Sequence, residues 1–338
     1  MSAPALLELQ SLCTHYVSAR GTRIVRAVDE VSLSITAGET LGIVGESGSG
    51  KSTLALSILR LLPPAARIAG GRVLFEGDDL LQKSDAEMRS VRGRRIAMIL
   101  QDPMASLNPL FTIGDQVAEP IRVHEGAGRS KAWTRARELL RAVRIPSPQT
   151  RLNQHPHEMS GGMRQRIVGA IAISCGPRLL IADEPTTSLD LTIQAQYLGL
   201  LRELQRTHGL ALIFITHNLG LVAKMCDRLA VMYAGRVVEQ GRVAEIFRAP
   251  AHPYTRALLG SIPRMRDSRE RLTAIDGQPP DLASLPPGCA FAPRCASAFA
   301  RCGEPPPHIA RGDDRWVRCW LAASAGAPDP DVEGARRW

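Results

Sequence analysis

The stretch GESGSGKST, Gly45 to Thr53, matches the pattern G-x-x-x-x-G-K-[ST]. Glycines at that spacing let consecutive backbone N–H groups close around phosphate oxygens, and a following helix N-terminus adds partial positive charge. Gly45, Ser47, Gly48, Ser49, Gly50 and Thr53 are therefore candidate phosphate-cradling residues. Lys51 would reach the β- and γ-phosphates of a nucleoside triphosphate, and the Ser52 hydroxyl would ligate Mg²⁺. A glycine-rich turn that merely opens a helix is the alternative, but a strand, a loop, a lysine and a helix all occur in the required order. A second cluster is LLIADEP, where Asp183 and Glu184 follow four apolar residues. There Asp183 could hold Mg²⁺ through water, and Glu184 could polarise the attacking water. Paired acids at a strand end often serve as a helix N-cap instead, and Pro185 weakens that reading.

Two further groups stand out. In EMSGGMRQR, Ser160, Gly161 and Gly162 precede a long helical stretch and could form a second phosphate-binding helix N-terminus. One triphosphate is already served by the first loop, so this one suggests a γ-phosphate bound on another subunit. The bland reading is a serine N-cap with a flexible turn. The other group is Cys289, Cys295, Cys302 and Cys319, spaced C-x5-C-x6-C-x16-C and comprising four of the seven cysteines. That spacing matches neither a zinc finger nor the usual ferredoxin runs, so it names no metal. Four thiolates suit zinc or an iron–sulfur cluster, and reduced, unmetallated thiols are the third possibility. Cys13, Cys175 and Cys226 lie in strand or helix contexts and read as core residues.

The elements that must position these groups follow from periodicity. Val31, Leu33 and Ile35 alternate as in a strand, TLGIVG is a short apolar strand, and LALSILRLL is a helix stopped by Pro63 and Pro64. GRVLFEG, RRIAMILQ, PRLLIADEP and LALIFITH read as strands, and RLAVMYAGRVVEQG as a hairpin about Ala234-Gly235. Residues 112–176 carry only helical periodicity. The fold class is therefore α/β, with a mostly parallel core sheet, an antiparallel β portion and a helical insert. Beyond Pro263 the chain turns rich in Pro and Gly. A boundary there divides a 1–263 domain from a 264–338 extension with little apolar material of its own.

Bulk properties exclude some classes. No apolar run approaches the roughly 20 residues that span a bilayer, and MSAPALLELQ lacks the layout of a signal peptide. A cytoplasmic location and reduced thiols are expected. The net charge of +9 is spread over an Arg-rich surface rather than one block, so it does not specify nucleic acid.

Taken together the motifs resemble those of ATP-binding cassette (ABC) ATPases: the P-loop, a Q-loop at Gln101 in LQDPMASLNP, the SGGMRQR signature, LLIADEP, a D-loop at Ser188 to Asp190, and a switch histidine, His217, in FITHN. The match runs from about residue 6 to residue 241. The resemblance implies that Gln101 contacts Mg²⁺ and the attacking water, that His217 contacts the γ-phosphate, and that Asp190 lies across a dimer interface. It also implies that Tyr16 stacks on adenine, although an isolated strand aromatic is more often core. QDPMASLNP, PTTSLDLTIQAQ and APAHPYTRALLGSIP look like the oligopeptide/dipeptide importer branch, and Met163, where most signatures carry Gln, resembles its D-type subunit.

That resemblance brings further expectations. They are ATP and Mg²⁺ as cofactors, an F-type ATPase partner, two membrane permeases, an extracytoplasmic peptide-binding protein reached through them, and no nucleic acid. Residence would be peripheral, on the cytoplasmic face of the inner membrane. Some members hold a [4Fe–4S] cluster in a similar C-terminal extension. Import of nickel or another small solute, and a soluble ABC ATPase acting on nucleic acid or ribosomes, are the competing functions.

Overall fold

The computed structural model describes residues 4–102, 106–187, 189–261, 275–312 and 314–323. Twelve strands are present among them: β1 (Ala5–Val17), β2 (Ile24–Thr36), β3 (Thr40–Val44), β4 (Ala66–Phe75), β5 (Asp78–Asp79), β6 (Ile96–Ile99), β7 (Leu179–Asp183), β8 (Ala211–Ile215), β9 (Arg228–Tyr233), β10 (Arg236–Arg242), β11 (His308–Ala310) and β12 (Trp316–Arg318). They form two sheets, one ordered β2-β1-β4-β5 and the other β11-β12-β10-β9-β3-β8-β7-β6.

In the larger sheet, β6, β7, β8, β3 and β9 run parallel. Every residue of β3, β7 and β8 is buried, as expected of parallel strands covered on both faces. Such strands show no alternation, which is why TLGIV, LLIAD and ALIFI read as continuous apolar runs. The smaller sheet is antiparallel, with Leu9 opposite Leu33 on β2 and Val73 on β4. Its inner residues pack with Leu41, Ile43, Ile181 and Ile213 of the large sheet around the helix Lys51–Ile58. This helix ends before the prolines expected to stop it. Arg60 turns into the left-handed region and its guanidinium donates to the carbonyls of Leu80 and Lys83.

The helical insert contains Ile113–Glu125, Arg129–Ala142 and Gly161–Ile173. Their Ile113, Val117 and Ile121, then Ala132, Ala136 and Leu140, recur at every fourth position and fill one core with Ile99, Phe214 and Leu201.

The C-terminal stretch joins the larger sheet. The strand β12 pairs with β10, Glu239 opposite Val317 and Gln240 opposite Trp316, and β11 pairs with β12. Phe291 is 3% exposed and its ring lies 5.2 Å from that of Tyr233 and 5.3 Å from that of Tyr254. Such aromatic pairs add about 0.5–1.5 kcal/mol each beyond the area they bury. A segment poor in apolar residues thus shares a core supplied mostly by the cassette. The boundary expected at residue 263 lies outside the described residues.

Candidate functional site

The glycine-rich loop Gly45–Gly50 follows β3 and opens the helix Lys51–Ile58. Gly50 sits at φ 100°, and a Cβ there would meet the Ala27 carbonyl oxygen at 2.0 Å, so the position admits no side chain. Lys51 is buried and donates to the carbonyl oxygens of Gly45 (2.8 Å) and Glu46 (2.9 Å), with the Ser49 hydroxyl at 3.4 Å. Burial lowers its pKa, and Glu184, Asp183 and Glu46 oppose that shift. The Tyr16 hydroxyl at the end of β1 lies 3.3 Å from the Thr53 hydroxyl, which sets this ring beside the loop's helix.

Asp183 ends β7 beside the loop, and its Oδ1 is buried without a hydrogen-bond partner in the protein. Burial raises its pKa, the Ser52 hydroxyl draws it back, the Glu184 charge raises it and Lys51 lowers it. An unpartnered buried carboxylate oxygen beside a serine hydroxyl is a donor set that suits a hydrated Mg²⁺. The next residue, Glu184, has φ 45°. Its backbone N–H donates to the Ile215 carbonyl at 2.9 Å, which pins this left-handed kink to the end of β8. Three side chains then converge on its carboxylate: Gln101 Nε2 at 3.1 Å, the Thr187 hydroxyl at 3.0 Å and His217 Nδ1 at 3.2 Å. Gln101 follows β6 and His217 follows β8, so three neighbouring parallel strands deliver this group at their carboxyl ends. Ligand sites on open α/β sheets form at such ends.

The signature residues stand apart from this cluster. The Ser160 hydroxyl accepts the Met163 N–H at 3.3 Å and caps the helix Gly161–Ile173. Ser160, Gly161, Gly162 and Met163 line a surface hollow with Asp190 and Ile193, and no loop residue between Gly45 and Thr53 lines it. Asp190 also caps the helix Leu191–His208, accepting from the N–H groups of Thr192 and Ile193 at 3.0 Å. A Cβ at position 162 would meet Ile193 Cγ2 at 2.8 Å, which accounts for the glycine. Ser188 of the D-loop lies outside the described residues, as do positions 103–105 after Gln101.

Cys289, Cys295, Cys302 and Cys319 all line one small cavity, with His252, Phe291 and Trp320. Among the described residues, no group of three or more His, Cys, Asp or Glu is arranged to hold a metal ion. The expected four-iron cluster therefore finds no support in that respect. Burial raises the thiols of Cys289, Cys295 and Cys319, and neighbouring cysteines add to the shift. His252 Nδ1 accepts the Tyr254 N–H at 3.0 Å. Its Nε2 must then carry the ring proton, and it is buried without a partner. Of the other cysteines, burial pushes the Cys226 thiol up, and Cys13 and Cys175 are half-buried.

Sequence reasoning missed two residues at the loop. The Tyr254 hydroxyl accepts the Glu46 N–H at 2.9 Å, and Arg294 holds the Glu46 carboxylate. A charged side chain inside a glycine-rich loop was the only signal available.

The profile of the ABC transporter family matches residues 28–187, and that of the oligopeptide/dipeptide transporter C-terminal region matches residues 238–302. The chain is 52% identical to a probable peptide ABC transporter ATP-binding protein of Sinorhizobium fredii, over 94% of this chain and 95% of that one. It is 50% identical to the dipeptide transport ATP-binding protein DppD of Bacillus subtilis, over 94% of each. Among solved structures, a dimeric ATP-binding cassette in a post-hydrolysis state with ADP and Pi is similar at TM-score 0.63 and 28% identity. The match covers 70% of this chain and 98% of that one.

Proposed function

The chain belongs to the ATP-binding subunits of oligopeptide/dipeptide ABC transporters, and from that premise we propose that it hydrolyses ATP to power peptide uptake through separate membrane permeases. The observation that carries this reading is the meeting of Gln101, Glu184 and His217 at the strand ends beside the Lys51 loop. Phosphoryl transfer to water needs positioned charge more than covalent chemistry.

In this reading backbone N–H groups of the Gly45–Thr53 loop, apart from that of Glu46, which the Tyr254 hydroxyl holds, take the phosphates, and Lys51 turns from its own carbonyls to the β- and γ-oxygens. Ser52, Asp183 and Gln101 would hold Mg²⁺, which neutralises charge on the phosphates. Glu184 accepts a proton from the attacking water, with Gln101 orienting that water and His217 holding the γ-phosphate. Tyr16 offers its ring to adenine. Ser160, Gly161 and Gly162 act on a γ-phosphate bound by a second ABC subunit, with Asp190 at the shared interface.

We take that partner to be an F-type ATPase, because Met163 offers no amide where other signatures place Gln and the two sites need not be alike. Two permeases and an extracytoplasmic binding protein complete the assembly, with this subunit on the cytoplasmic face. No helix among the described residues is long and apolar enough to cross a membrane, which is consistent with a peripheral place. Reconstituted with its partner ATPase and permeases in vesicles, the chain should support ATP-dependent uptake of labelled di- or oligopeptides. Uptake of nickel but no peptide would overturn the cargo.

We further propose that Cys289, Cys295, Cys302 and Cys319 hold a [4Fe–4S] cluster of structural role. The cavity that all four side chains line supports it. Such a cluster would supply covalent cross-links to a segment with little core of its own. Protein purified without oxygen should contain about four iron and about four acid-labile sulfide per chain. Little iron, with zinc also absent, would leave the four as reduced thiols.

A further inference from the structure

Glu46 stands inside the phosphate loop, where a bare carboxylate would repel a triphosphate. Every polar group of this residue is engaged. Its carbonyl accepts from Lys51 Nζ at 2.9 Å and from the Ser49 N–H at 3.2 Å, and its own N–H donates to the Tyr254 hydroxyl at 2.9 Å. The carboxylate receives a two-pronged contact from Arg294, with Nη1 to Oε2 at 2.7 Å and Nη2 to Oε1 at 3.0 Å. This fork geometry is the strong form of the pair. The Arg294 side chain is 5% exposed and that of Glu46 26%, so solvent reaches the pair mainly from the carboxylate side. The guanidinium is itself held from the other side, Nε donating to the Asp276 carbonyl at 2.9 Å, with the Tyr233 hydroxyl at 3.3 Å from Nη1. Arg294 lies 248 residues from Glu46 along the chain and immediately precedes Cys295.

We propose that Arg294 is a positioning residue for ATP binding: it neutralises and fixes Glu46, and so ties the phosphate loop to the cysteine-bearing C-terminal segment. Nucleotide affinity then depends on the order of a segment 248 residues away in sequence. The proposal rests on the Gly45–Thr53 loop being the nucleotide site.

Equilibrium titration of the full chain with a fluorescent ATP analogue tests it. Arg294→Ala should weaken ATP binding on the order of tenfold, and weaken AMP binding less, because the exposed Glu46 charge acts on phosphate charge. Removing that charge as well should rescue the site: Arg294→Ala with Glu46→Gln should bind ATP within about threefold of Glu46→Gln alone. A merely structural arginine would not be rescued in this way. Glu46→Gln alone should bind ATP at least as well as the parent within the same margin, and this variant keeps the test decisive if Arg294→Ala does not fold. Unchanged affinity in Arg294→Ala, a double variant as weak as Arg294→Ala, or a tenfold loss in Glu46→Gln would each overturn the proposal. Lys51→Ala serves as the separate control: if it still binds ATP normally, the loop assignment fails instead.

Discussion

Glu184→Gln is expected to lower ATP turnover at this subunit's site by about 10²–10³-fold while ATP binding persists. The amide keeps the shape and can still meet the Thr187 hydroxyl, but it cannot take a proton from water. The loss should therefore fall on kcat, with little change in KM. The carboxylate is already oriented by Gln101, Thr187 and His217, so the substitution removes a base without removing its supports. Hydrolysis should be measured in the complex with the partner's own site disabled. Retained turnover there would mean that another group activates the water. In the ATP-bound state the variant should also accumulate as a stable pair of ABC subunits on size exclusion, because hydrolysis no longer opens the pair.

Lys51→Ala should have the larger effect on binding, weakening ATP by roughly 10²-fold or more. The ammonium is held inside the loop by three of the loop's own oxygens, ready to exchange them for phosphate oxygens. Its removal also takes away the positive charge that Asp183 and Glu184 share beside the loop. Calorimetric titration would read this directly. An affinity within threefold of the parent would show that the backbone cradle suffices and that the lysine acts elsewhere.

Much of the nucleotide site was legible in the sequence because local chain geometry builds it. A strand, a glycine loop and a helix are contiguous in TLGIVGESGSGKST, and Asp183 and Glu184 share one strand end. The convergence of Gln101, Glu184 and His217 could be anticipated only through the resemblance, since three separate strands deliver them and no spacing rule links residues 101, 184 and 217. The contact of Arg294 with Glu46 was not legible at all. Glu46 sits in a loop and Arg294 ends a single 3-10 turn, Ala292–Arg294, and their meeting depends on how the C-terminal segment folds back over Tyr233 and Tyr254. The same segment reads as lacking a core because composition counts only the apolar residues it brings, not those it borrows. The cysteine spacing carried no metal identity for a related reason: four side chains reach one cavity from a turn-rich path with no fixed repeat.

The pairing of β12 with β10 makes the C-terminal segment a guard against self-association. Without it, β10 would offer a row of unpaired backbone N–H and C=O groups, a template on which a second molecule could add a strand. Its replacement at the rim, β11, spans only His308–Ala310 with two of its three residues exposed, too short to invite the same attachment. Glu239 on β10 is completely buried, and the guanidinium of Arg315, 3.4 Å away, comes from the approach to β12. A chain trimmed after the helix Pro253–Gly260 would thus combine a sticky sheet margin with a buried carboxylate that has lost Arg315. Insolubility of such a fragment would reflect the lost guard rather than a defect in the ATP-binding fold.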